Sequence, residues 1–175
     1  MLKRLLSLGA AALAGLTAAC EEGPATLAGT WRSPATWSTM IYATSTGPML
    51  VEVHGTPFAV DGAEFRDQVA EAMSNKIIGR VTLFTARRDL APRPQYRVVL
   101  AFNAPDDLDM DRLCTGDPPV AAEPRETVTV QAAFCNGTKL MASLRGRVAR
   151  VEGPGDKRFR QLMAQVAREL FGEPR

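Results

Sequence analysis

The chain has 175 residues, a hydrophobic fraction of 46% and a formal net charge of +2. That length holds one domain once any processed segment is set aside, and the composition excludes both a disordered chain and a multi-span membrane protein. Without Lys3 and Arg4 the 21 basic residues become 19, against 19 acidic ones, so there is no general electrostatic case for binding nucleic acid.

Lys3 and Arg4 form a positive n-region, and Leu5 to Leu16 follow as an apolar core rich in Ala and Leu. A core of about a dozen residues suits a signal peptide and is too short to span a bilayer stably. It runs out as Leu16-Thr17-Ala18-Ala19-Cys20, which resembles the lipobox of bacterial lipoproteins. The resemblance covers these 20 residues and departs at Thr17, where Leu or Ala is commoner. It implies a signal peptide over 1–19, cleavage before Cys20, and acylation of the Cys20 sulfur and the new amine. The protein would then be a lipid-anchored member of the bacterial cell envelope, with the membrane as its first partner. Each buried methylene adds about 0.8 kcal/mol, so two or three chains hold firmly where one does not. Glu21, rather than Asp, after the cysteine leans toward the outer membrane over the inner, with the domain facing the periplasm.

Residues 20–47 are rich in Thr, Ser, Ala, Gly and Pro and read as a tether. Trp31, Trp37, Ile41 and Tyr42 complicate that reading: they could rest at a membrane interface, or pack on the domain, for instance as an edge strand, and packing is preferred. The folded part, 48–175, opens with a strand at Met49, Leu50, Val51 and Val53, closed by Gly55 and Pro57. Asp61 and Glu64 have capping-box spacing, and Phe65, Val69, Ala72, Met73 and Ile77 line one face of a helix ending at Gly79. A strand over 80–86 and a charged loop over 87–94 precede Tyr96, Val98, Leu100 and Phe102, whose alternation marks a strand. Four prolines and an acidic cluster make 104–125 a long loop.

Residues 126–151 predict a hairpin. Val128, Val130, Ala132 and Phe134 alternate with polar or small residues, Asn136-Gly137 signals the turn, and Leu140, Ala142 and Leu144 alternate after it. A two-residue Asn136-Gly137 loop would oppose Val128 to Arg145. A three-residue loop, Cys135-Asn136-Gly137, opposes Val128 to Leu144, Val130 to Ala142 and Ala132 to Leu140, with Gly137 at φ > 0 and Cys135 at the tip. A last helix, capped by Asp156 and ended by Gly172, buries Phe159, Leu162, Met163, Val166, Ala167, Leu170 and Phe171. The order β-α-β-β-β-β-α predicts an α+β domain: an antiparallel sheet of four to five strands with two amphipathic helices on one face. The other face, carrying Thr127, Thr129, Gln131, Ser143 and Arg145, could meet solvent.

If Cys20 carries lipid, Cys114 and Cys135 remain in an oxidising compartment and are expected to pair, since no Cys-x-x-Cys marks a redox couple. Asp107, Asp109 and Asp111 have the first spacings of a calcium loop, but Arg112 and Pro118 stand where Gly and Glu are required, so no metal site is expected there. His54 is the only histidine, which excludes a His-rich metal site, and it advertises no nucleophilic partner. No catalytic residues and no cofactor are assigned. Lys157, Arg158, Arg160 and Arg168 give the last helix a basic face for an anionic surface. With the lipobox, Gly55-Thr56-Pro57-Phe58, Tyr96 to Asn103 and Ala133-Phe134-Cys135, the chain resembles envelope lipoproteins of proteobacteria, a resemblance that implies location and size rather than activity. The expected function is a non-enzymatic envelope lipoprotein that binds a protein or envelope component. The alternative is an envelope enzyme or small-ligand carrier with a pocket near His54 and the Asp106–Asp111 loop.

Overall fold

The computed structural model of the chain describes residues 23–116, 118–120 and 125–172; Cys20 and its signal segment lie outside them. A six-stranded open sheet runs in the order β1-β6-β5-β4-β2-β3. Its strands are β1 (Ala25–Arg32), β2 (Met49–His54), β3 (Phe84–Thr85), β4 (Tyr96–Phe102), β5 (Thr127–Asn136) and β6 (Lys139–Ala149). Four helices complete the fold: α1 (Thr36–Ala43), α2 (Gly62–Met73), the short α3 (Arg112–Thr115) and α4 (Lys157–Phe171). The expected α+β layering stands in outline, with α1, α2 and α4 against one sheet face and the short α3 on the other. Among the described residues, however, the strands number six and the α-helices four, and the sheet is mixed.

The mixture arises at β2, which pairs in parallel with both β3 and β4. Parallel neighbours need a crossover, and α2 supplies it between β2 and β3. Asp61 starts α2 as expected: its Oδ1 accepts from the Ala63 and Glu64 amides at 2.8 and 3.0 Å. The Glu64 carboxylate instead accepts from Gln68 at 2.8 Å. The helix stops at Met73 rather than Gly79, because Asn75 takes the left-handed backbone (φ 57°) and gives its amide to Thr82 O. Of the strand expected over 80–86, only Phe84 and Thr85 pair.

Residues 25–43, inside the stretch expected as a tether that packs on the domain, form an edge strand and a helix. β1 pairs antiparallel with β6 from Ala25↔Arg147 to Ala28↔Leu144. Its next partner is Arg32↔Ala142, four residues on along β1 against two along β6, so Gly29, Thr30 and Trp31 bulge outward. Gly29 is required at the pinch: a Cβ there would sit 2.3 Å from Ser143 Oγ and 3.0 Å from Ser143 O. In α1, Met40 and Ala43 are buried, with Trp37 and Ile41 packed beside them.

The β5–β6 hairpin departs from the expected register. Its loop is Gly137-Thr138, between the pair Asn136↔Lys139, and Gly137 has φ 58°. That loop alone would place Val128 opposite Arg147. A bulge between Phe134↔Ala142 and Cys135↔Leu140 absorbs one residue and restores the apolar face, so Val128 faces Val148, Val130 faces Gly146 and Ala132 faces Leu144. The expected partners, Leu144, Ala142 and Leu140, are each four residues earlier. A shift of four keeps every side chain on its face, so alternation cannot tell the two registers apart.

One large core fills the space between the sheet and α1, α2 and α4. All seven expected core residues of α4 are at most 1% exposed. Phe58, Phe65, Phe102 and Phe159 cluster edge to face or tilted, and Phe171 meets Phe134 with ring centroids 5.0 Å apart. Burial of each such ring contributes about 1.5–3 kcal/mol. No helix among the described residues is long and apolar enough to cross a membrane.

Candidate functional site

The opposite sheet face is covered over β4 and β5 and open over β1 and β6. Asn103 begins the cover. Its left-handed backbone (φ 52°) turns the chain back, while its amide donates to Thr129 O at 2.9 Å and its Oδ1 accepts from the Thr129 amide at 3.2 Å. Segment 104–116 then crosses the sheet, and Leu108, Leu113 and Cys114 pack on Val99, Ala101, Ala133 and Cys135 as a second small core. A disulfide joins Cys114 to Cys135, with Cα atoms 5.6 Å apart. The expected pair is therefore present. Cys135, though, lies inside β5, fully buried, and not at the hairpin tip.

Arg97 ties this region together. Its Nε donates to Glu52 at 2.7 Å, one Nη donates to Gly137 O at 2.8 Å and the other to Cys114 O at 3.1 Å. A single guanidinium fork thus fixes β2, the hairpin turn and the disulfide loop at once, a geometry that Lys cannot supply. Nothing in the alternation of β4 marks Arg97 for this role.

Between β1 and the 104–111 segment the open face forms a groove with two cavities of about 510 and 400 Å³. Leu27 and Arg145 line both. Trp31, Ser143, Asp109 and Asp111 shape the larger, and Asp106, Gln131 and Arg147 the smaller. Leu27 is 71% and Trp31 51% exposed, so an edge strand presents two large apolar side chains to solvent here. Cations of β6 face carboxylates of the loop across the groove. Gln131 is 3% exposed; its Nε2 donates to Pro105 O, and its Oε1 is buried without a hydrogen-bond partner within the protein. Of the expected solvent face, Thr127 and Thr129 are half-buried, Gln131 and Ser143 buried, and Arg145 exposed.

The Asp106–Asp111 loop therefore meets the cavities, but His54, half-buried at the end of β2 beside Ala101, lines neither. Among the described residues no group of three or more His, Cys, Asp and Glu side chains is placed to hold a metal ion. The four basic residues expected as one face of the last helix are dispersed. Arg160 reaches Glu71 at 3.6 Å, and Arg158 turns to Asp156 at 3.7 Å and to Arg150 O. Arg168, eleven residues beyond Lys157, lies about 16 Å further along the axis.

No family model matches the chain, and no curated protein matches it. Among solved structures it is similar to a single-substitution variant of the PelC dodecamer from Paraburkholderia phytofirmans, with 13% identity and a TM-score of 0.44, over 86% of this chain and 99% of that one. A likeness at that level transfers neither fold nor function.

Proposed function

We propose that this protein is a lipid-anchored, non-enzymatic lipoprotein of the bacterial envelope, held through Cys20 with its domain in the periplasm, on the outer membrane in preference to the inner. It acts as a binding module whose ligand is an extended segment of another envelope protein. The reading rests on β1: an edge strand with Leu27 and Trp31 exposed beside an open groove of mixed charge. An edge offers backbone hydrogen bonds to an added strand, and Trp and Arg beside it are the residue types that dominate interface energetics. The buried Cys114–Cys135 bond is compatible with an oxidising compartment outside the cytoplasm.

Two experiments test it. Palmitate labelling of the wild-type chain should be strong, and Cys20→Ser should abolish it and release the protein from membranes or leave it unprocessed; labelling that persists in the variant refutes the anchor. A photo-crosslinking residue at Leu27 or Trp31 should trap a discrete protein adduct in cells, while the same residue at Gln161, exposed on α4, should not. Equal yields at the three positions would overturn the assignment of the groove. The second reading, an envelope enzyme or small-ligand carrier, draws support from the cavity volumes, but the histidine expected in its pocket lies elsewhere.

A further inference from the structure

The expected tether of 20–47 is largely absorbed by the fold, and this has an orientational consequence. β1 begins at Ala25, so only residues 21–24 separate the domain from Cys20. Five residue steps extend at most about 18 Å. Ala25 is the register partner of Arg147. Strand β6 runs on to Ala149, and the Arg150 amide then bonds Glu126 O. Arg150 is thus three residues, or about 10 Å, past the row of Ala25, in the direction from which the chain arrives. The N-terminal turn of α4 lies at the same end, because Arg158 donates to Arg150 O.

That end is basic. Residues 145–160 contain Arg145, Arg147, Arg150, Lys157, Arg158 and Arg160 against Glu152 and Asp156, in a chain whose processed form is neutral. Arg145 and Arg147 also line the groove beside Asp106, and Arg160 reaches Glu71 at 3.6 Å, so Arg150, Lys157 and Arg158 carry most of the charge beyond the groove. Arg150 spends part of its charge on Glu126 at 3.5 Å, and Arg158 part on Asp156. Arg147 and Lys157 are both exposed.

We propose that the end of the domain formed by Arg147, Arg150, Lys157 and Arg158 rests on an anionic phospholipid surface. This deepens the lipoprotein reading and depends on it. The leash brings this end to the bilayer, and its charge complements lipid phosphates. The opposite end carries exposed aliphatic side chains, Ile78 and Val81 at 81% and 80%. It lies before β3, level with the hairpin turn and roughly 20 Å from the row of Ala25, so a leash of about 18 Å cannot bring it to the membrane that holds Cys20.

The test uses the acylated protein reconstituted by its own anchor into vesicles of phosphatidylcholine alone or with phosphatidylglycerol, with hydrogen exchange of loop 151–156 as the readout. Exchange there should slow on the anionic vesicles, recover at high salt, and slow less in the Arg147→Gln/Lys157→Gln double variant, by about fivefold for each cation removed. Both side chains are exposed, and an unchanged denaturation midpoint verifies that the variant folds. Equal exchange on the two vesicle types, with protein still bound to both, would refute the surface contact and leave the anchor standing. Slowed exchange at 77–83 instead would mean that the domain lies the other way up and would equally refute it. A Cys20 without acyl mass would overturn the anchor and the contact together.

Discussion

Gly137 shows how a residue can be read correctly for a local reason and wrongly for its setting. Its φ of 58° is the positive value expected of it, yet it opens a two-residue turn and does not close a three-residue one. Thr138, beside it, is not among the residues with positive φ, the pattern of a type II′ turn with Gly first. No atom crowds the place of a Cβ at Gly137. A substitution there therefore reports backbone strain alone, and Gly137→Val should cost about 1–2 kcal/mol. An unchanged denaturation midpoint would contradict the turn. Asn103 and Asn75 were not legible as chain-turning residues, since Asn adopts the left-handed backbone only where its surroundings repay it. Arg97 escaped notice for a related reason: its three partners come from β2, the hairpin and the disulfide loop, and converge only in space.

Among the elements, those with a long one-faced pattern were legible: α4, β4 and the apolar sides of β5 and β6. Their burial alone repays ordering the chain. β1 and α1 were legible only as a stretch that packs on the domain, with an edge strand as one form of it; their bounds and the helix were not, because an edge strand buries little and the Ala, Thr and Gly of β1 resemble a linker. Strand direction was also hidden; alternation records which face is buried, and parallel and antiparallel neighbours bury the same face. The start of α2 was readable from Asp61, and its cap carries a titration. Hydrogen bonds from the Glu64 and Ala63 amides hold the Asp61 carboxyl below its ordinary value of 3.8. The folded value is depressed, so the stabilisation is present above 3.8 and is lost as pH falls through the folded value. Asp61→Asn keeps an acceptor for the cap and removes the charge. The variant should therefore lose less stability than the wild type between neutral and acid pH, as followed by denaturation midpoints; parallel losses would exclude a charge-assisted cap. The disulfide closes a loop of 21 residues, and Cys114→Ser should lower stability by about 2–4 kcal/mol. The Cys114→Ser/Cys135→Ser double variant should be no worse than either single one, since one bond is lost in each. Two free thiols in protein taken directly from the envelope would refute the structural role.

For the whole molecule, the sheet separates a large helical core from a small disulfide-closed one, and among the described residues it leaves the β1–β6 half of one face open. Cover and groove were not legible because segment 104–116 reads as a Pro-rich acidic loop, and its apolar anchors Leu108 and Leu113 have no period. The basic end escaped for a different reason. It draws on β6, the following loop and α4 together, whereas a single-helix reading joined Lys157 to the distant Arg168.

The early start of β1 also decides where a partner can be found. Anchored as proposed, the domain diffuses with its lipids in two dimensions and samples only a thin layer above one leaflet. Ligands in that layer meet it at a high effective concentration, and those beyond the leash meet it not at all. Lengthening the leash with a Gly-Ser insert between Pro24 and Ala25 should leave folding and acylation unchanged. It should lower the crosslinking yield from Leu27 to a partner in the same membrane, and raise it for partners further into the periplasm. Four residues would then act as a selector of partners by height above the membrane, before any side chain makes contact.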